Sequence, residues 1–223
     1  MCSSTATGQL DQLVISPEGE IPAGTPRTPA RGELVTLAFQ RYYDPACRCY
    51  KLRFFGQISS GAENEYVSVM HKPCRASFST AITGAQTTAG GGWEGVPDFP
   101  PGSGEFRARW NDELSEPVTY RPPLVPNVVR RGKGTYRVEV NSFVPAGSTP
   151  VILTGQRIEV QRLANGQWTR IRREKLAGFA ANLYNRTYFA NFKVPRGLTL
   201  RAFAPAKTAL PCWSPGVSKT FRS

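Results

Sequence analysis

Histidine is almost missing from this chain: His71 is the only one in 223 residues. That leaves no set of imidazoles for a metalloenzyme centre and a single partner for any nucleophile. Long apolar runs are missing too, and without eighteen uninterrupted apolar residues there is no membrane-spanning helix. Gly90-Gly91-Gly92 lacks the Lys and the helix that a phosphate loop requires. Asp98 and Asp112 stand without the run of oxygen ligands that calcium takes. The carboxylate pairs Asp112-Glu113 and Glu63 with Glu65 fall in polar turns, which serve a glycosidase poorly. A Cys74-His71 pair would sit three residues apart on a strand, where side chains alternate between faces. A histidine at the strand surface is the simpler expectation. No enzyme, cofactor or metal is expected.

Long polar tracts are also lacking, because apolar and aromatic residues recur from Leu34 to Phe221 and argue for a packed core. The 21 Gly and 19 Pro are spread along the chain and disfavour long helices. Short apolar or alternating runs lie between them, such as Tyr50 to Ile58, Glu65 to His71, Phe106 to Trp110, Thr135 to Phe143, Gln156 to Leu163 and Leu198 to Ala204. This texture predicts an all-β chain of sandwich or barrel type. Asn165-Gly166 before Trp168 signals a type I′ hairpin. Glu174 to Leu183 is the one stretch read as a short helix, weakened by Gly178.

Acidic residues are scarce in one half only. Residues 1–123 hold 11 basic and 13 acidic side chains, whereas residues 124–223 hold 17 basic and only 3 acidic, Glu139, Glu159 and Glu174. Such asymmetry points to an anionic polymer, an anionic surface or an acidic protein face as partner. The predicted organisation is an N-terminal arm (1–32), a first sandwich (33–123) and a strongly basic second sandwich (124–223).

The five cysteines are Cys2, Cys47, Cys49, Cys74 and Cys212. Their spacing does not fit structural zinc, so disulfides are expected. If the strands ending at Ile58 and starting at Glu65 form a hairpin, its register sets Cys49 opposite Cys74. A single bulge would exchange Cys49 for Cys47. The start Met1-Cys2-Ser3-Ser4 is no export signal. Either the protein is cytoplasmic or a signal has been removed, and the cysteines favour a secreted or cell-surface protein. A Cys followed by small polar residues also resembles the start of a mature bacterial lipoprotein, which implies a lipid on Cys2.

The two halves repeat one another. Phe106-Arg107-Ala108 aligns with Leu200-Arg201-Ala202, Ser115 with Ser218, and Trp93 with Trp168, at an interval that widens along the chain. The strings Gln161-Arg162-Leu163-x-Asn165-Gly166-x-Trp168, Leu200-Arg201-Ala202 and Pro215-Gly216-Val217-Ser218 resemble the tandem immunoglobulin-like β-sandwich repeats of bacterial secreted and cell-surface proteins. The resemblance covers residues 50–223 and implies spacer, adhesive or structural roles. Arg107 and Arg201 then hold equivalent strand positions, where each stem covers the sandwich and each guanidinium meets a carboxylate or loop carbonyl. Trp213 lies in a loop, placed to stack on a sugar or pack on a neighbour.

The clearest functional signal is the basic cluster Arg130, Arg131, Lys133, Arg157, Arg170, Arg172 and Arg173. Arg170 and Arg172 flank Ile171 and are expected on one strand face, with Arg157 on a neighbouring strand, forming a surface for phosphate or carboxylate. Nucleic acid ranks lower, because single-strand binders interleave aromatic platforms and this face offers mainly Trp168. Two functions fit. One is a non-enzymatic structural or adhesive subunit that contacts other surface proteins or its own copies, assembling head to tail with Leu13, Val14 and Ile15 donated as a strand. The other is a monomer that holds an anionic cell-wall polymer or acidic glycan.

Overall fold

The computed structural model describes residues 28–30, 32–99, 101–143, 152–181 and 185–223. Cys2 and the expected donor strand Leu13, Val14 and Ile15 lie outside these residues. Among the described residues the fold is all-β apart from one short helix, α1 (Ala206–Ala209). Period-two alternation builds the strands: in β6 (Gly104–Trp110) Phe106 and Ala108 face inward, and in β15 (Thr199–Ala204) Leu200, Ala202 and Ala204 do so.

The first half has two antiparallel sheets. β1 (Ala38–Asp44), β2 (Cys49–Gln57) and β5 (Gly92–Gly95) form one. β3 (Tyr66–Pro73), β4 (Thr80–Gln86), β6, β7 (Glu113–Leu114) and β8 (Val118–Tyr120) form the other, in the order β4-β3-β6 with β7 and β8 both on β6. Val35, Leu52, Phe54, Val67, Val69, Trp93, Phe106 and Tyr120 fill the space between them.

The second half repeats the plan. β9 (Asn127–Gly132), β10 (Thr135–Phe143) and β14 (Asn185–Lys193) form a sheet that an additional strand, β13 (Gly178–Ala181), extends beside β14. β11 (Arg157–Ala164), β12 (Gln167–Lys175), β15, β16 (Gly216–Val217) and β17 (Phe221–Arg222) form the facing sheet. Its own core runs from Leu124 through Tyr136, Val138, Ile158, Val160 and Tyr188 to Trp213. In each half the first, second and a later strand face the third, fourth and closing strands, the immunoglobulin-like sandwich arrangement.

The repeat is visible atom by atom. In both halves the strand after the inward alanine is interrupted by a buried serine. Ser115 Oγ accepts the Ala108 N–H at 2.9 Å and donates to the Glu116 carbonyl at 2.9 Å, while Ser218 does the same with Ala202 and Lys219, at 2.8 Å each. Arg107 donates to Glu105 and to the Ser115 carbonyl, and Arg201 donates to Gln161 and lies over Trp168. The two turns differ, however. The first half connects β6 to β7 through Asn111 and Asp112, whereas the second half inserts residues 205–215 between β15 and β16. That insertion accounts for the widened interval.

Several expectations are corrected. Cys49 does not pair with Cys74: the disulfides are Cys47–Cys49 and Cys74–Cys212. β2 and β3 are not a hairpin, because the chain crosses after Ile58 to the facing sheet, which puts Cys49 and Cys74 in different sheets. Trp93 and Trp168 are not equivalent either. Trp93 is on β5, beside β2, whereas Trp168 is on β12, beside β11, in the other kind of sheet. The stretch read as a helix contributes β13 instead. The hairpin at Asn165-Gly166 stands, with φ of 51° and 75°, the left-handed pair of a type I′ turn.

The inserted loop joins the halves. Its Cys212 is 1 % exposed and bonds to Cys74 of the first half. Ser214 donates its N–H to the Pro122 carbonyl at 3.0 Å and accepts from the Leu124 N–H at 2.9 Å. Gly216 packs so tightly under Leu124 that a Cβ there would collide with the Leu124 carbonyl oxygen. Residues 122–124 therefore belong to the packing of the second half.

Candidate anion-binding surface

The outer face of the β12-β11-β15 sheet is organised by a carboxylate. On β11, Glu159 and Gln161 share a face, and across the ladder they meet Arg173 and Arg170. Glu159 is 9 % exposed and accepts from Arg170 and Arg173, both at 3.2 Å, and from Gln161 at 3.3 Å. Burial pushes its carboxyl up. The hydrogen bonds from the two arginines and Gln161 outweigh that and hold it below the usual carboxylate range. Gln161 passes the network on, accepting from Arg201 at 2.9 Å, whose guanidinium lies 4.4 Å from the Trp168 ring centre. Burial lowers the Arg201 pKa.

Arg172 does not join this face, contrary to the alternation expected through Ile171. The register steps between Val160↔Arg172 and Gln161↔Arg170, so Ile171 is the extra residue of a β-bulge. Ile171 packs on the core, and Arg172 turns to the opposite side, onto Glu174 at 2.7 Å and the Lys193 carbonyl at 2.9 Å. Arg173 takes the position expected for Arg172. Arg130, Arg131 and Lys133 sit elsewhere again, at the β9–β10 turn of the facing sheet, where Arg131 pairs with Glu139 at 3.1 Å. The basic cluster of the sequence is thus split between two sheets.

All three acidic residues of this half are consumed in these pairs: Glu139 by Arg131, Glu159 by Arg170 and Arg173, and Glu174 by Arg172. The arginine of each pair is solvent-exposed, and such pairs are worth about 0–1 kcal/mol each, so their main effect is on charge. Against these three acids the half carries 17 basic side chains. Three of the cations converge on a groove of about 440 Å³, lined by Gln156, Arg157, Glu159, Arg173, Lys207 and Thr208. Its wall is the inserted loop: Thr208 on α1 donates to the Arg157 carbonyl and fixes Lys207 over the start of β11. Glu159 as organiser was missed from sequence. Its signal was the Glu-x-Gln alternation facing an arginine-rich hairpin partner.

The other candidates are placed differently. Cys74 is oxidised, so Cys74 and His71 do not form a nucleophile and base. His71 is buried rather than on the strand surface, because Val67, Val69 and His71 alternate onto the core side of β3. It stacks on Phe106 at 4.4 Å, and burial pushes its pKa down to about 4 against the pull of the Ser103 carbonyl. Trp213 is in the second core and is not a platform. Among the described residues no group of three His, Cys, Asp or Glu is placed to hold a metal ion. The chain matches no protein-family model, and no curated protein is significantly similar to it.

Proposed function

We propose that this protein is a non-catalytic extracellular module that holds an anionic polymer, such as an acidic glycan or cell-wall polymer, on the cationic surface of its second half. The observation that carries the reading is the 17 basic against 3 acidic side chains of residues 124–223, with Arg157, Arg173 and Lys207 lining one groove. The disulfides suit an oxidising compartment. Electrostatic head-to-tail assembly has less support, because residues 33–123 hold 9 basic and 10 acidic side chains and offer no acidic counterpart. Several of those acids are already paired, Asp44 with Lys51, Glu94 with Arg53 and Glu105 with Arg107.

Titration with a polyanion over a range of salt tests this. Affinity should fall steeply towards physiological ionic strength. Arg157→Gln with Lys207→Gln should weaken binding severalfold, while Arg75→Gln in the first half should change it little. Equal binding by all three proteins at low and physiological salt would refute the assignment.

A further inference from the structure

The two disulfides are opposite in kind. Cys74–Cys212 spans 138 residues, and Cys212 is 1 % exposed. Cys47–Cys49 has a sequence separation of 2 and sits at the tip of the β1–β2 hairpin, with Cys47 exposed. A bond that closes so short a loop constrains the unfolded chain far less than one that closes a long loop, so stability is a weak reason for it. The hairpin is already fixed without it. The ladder from Ala38↔Phe55 to Asp44↔Cys49 is unbroken, Lys51 pairs with Asp44 at 2.7 Å, the Ala46 N–H caps the Asp44 carboxylate at 2.8 Å, and Arg41 lies over the Tyr50 ring at 3.8 Å.

The ring also encloses Arg48 at φ 52°, the left-handed region that an arginine rarely adopts. Exposure and a disfavoured backbone both make a disulfide more readily opened. Arg48 further places a guanidinium within the ring sequence, and a neighbouring cation favours thiolate over thiol.

We propose that Cys47–Cys49 is a thiol–disulfide exchange site for exposed thiols. An external thiolate attacks the more exposed sulfur, Sγ of Cys47. The Cys47–Cys49 bond breaks, Cys49 leaves as a thiolate, and the incoming sulfur is joined to Cys47 as a mixed disulfide. Return attack by Cys49 on Cys47 expels the thiol and restores the ring. A second external thiolate attacking the incoming sulfur instead leaves both cysteines reduced and carries the oxidised pair away. The hairpin tip thereby becomes a reversible covalent attachment point, independent of the cationic surface of the second half.

The test uses the intact chain in glutathione buffers of graded reduced-to-oxidised ratio, quenched by alkylation and mapped by mass spectrometry. Cys47–Cys49 should open under conditions about tenfold less reducing than Cys74–Cys212, with circular dichroism unchanged. Cys49→Ser should retain one glutathione on Cys47. Arg48→Gly, which suits the left-handed backbone and removes the cation, should make the ring severalfold harder to open. Opening of both disulfides at one ratio would overturn the proposal, as would opening of Cys47–Cys49 only together with unfolding or failure of the Cys49→Ser protein to carry glutathione.

Discussion

His71 makes the stability of the first half depend on pH in a window that can be stated beforehand. In the folded chain its imidazole is buried against Phe106, with a pKa of about 4, whereas the unfolded reference is 6.5. Nε2 has no hydrogen-bond partner, and a Cβ on Gly104 would lie 2.6 Å from it, so little room exists to solvate a charge. Between the two pKa values the unfolded chain binds a proton that the folded chain refuses. Stability is therefore complete above the unfolded pKa and declines as pH falls towards the folded one. A difference of this size corresponds to about 3 kcal/mol at most. Urea unfolding followed by tryptophan fluorescence at steps from pH 7 to 4 measures it, with His71→Leu as the non-titrating control. The parent should lose stability across the window and the variant should stay nearly flat. Because His71 is the only histidine, its ring resonance can also be followed directly by NMR. A midpoint near 6.5 in the folded protein, or an equal loss in His71→Leu, would refute the reasoning.

Ser115→Ala and Ser218→Ala should each cost about 1–3 kcal/mol in chemical unfolding, since each strands a buried backbone N–H, and the two effects should be alike because the hydrogen bonds are. Cys74→Ser combined with Cys212→Ser should lower stability by about 5 kcal/mol on the chain-entropy account of a 138-residue separation, read by thermal unfolding. A loss under about 1 kcal/mol would mean that Leu124, Ser214 and Gly216 already fix the halves together.

What could be read in the sequence was what neighbours in the chain decide. Asn165-Gly166 sets its own turn, and the aromatic-or-leucine-Arg-Ala strand with its later serine carries the same local hydrogen bonds in both halves. What could not be read was the choice of partner across space. A connection such as that from Ile58 to Glu65 looks the same whether the chain doubles back beside itself or crosses to the opposite sheet. Once it crosses, Cys49 and Cys74 separate. The tryptophans mislead similarly, because a tryptophan soon after a glycine turn marks a strand without marking its sheet. At the candidate surface the excess of positive charge was legible. The Ile171 bulge, which moves Arg172 away and brings Arg173 in, is a property of the β11–β12 ladder and leaves no mark on the alternation of β12 alone.

The inserted loop between β15 and β16 also decides how the chain would carry a mechanical load. Pull on a residue ahead of Cys74 and on one beyond Cys212, and the tension travels through the sulfur–sulfur bond instead of along the chain between them, a sequence separation of 138. Fully extended, that bypassed chain would measure about 470 Å at ~3.4 Å per residue. While the bond is oxidised, the whole strand framework of the second half up to β15 is spared the force. Reduction would return that length to the load path, so the redox state of one buried cystine sets how far a tethered molecule can stretch before its ends part.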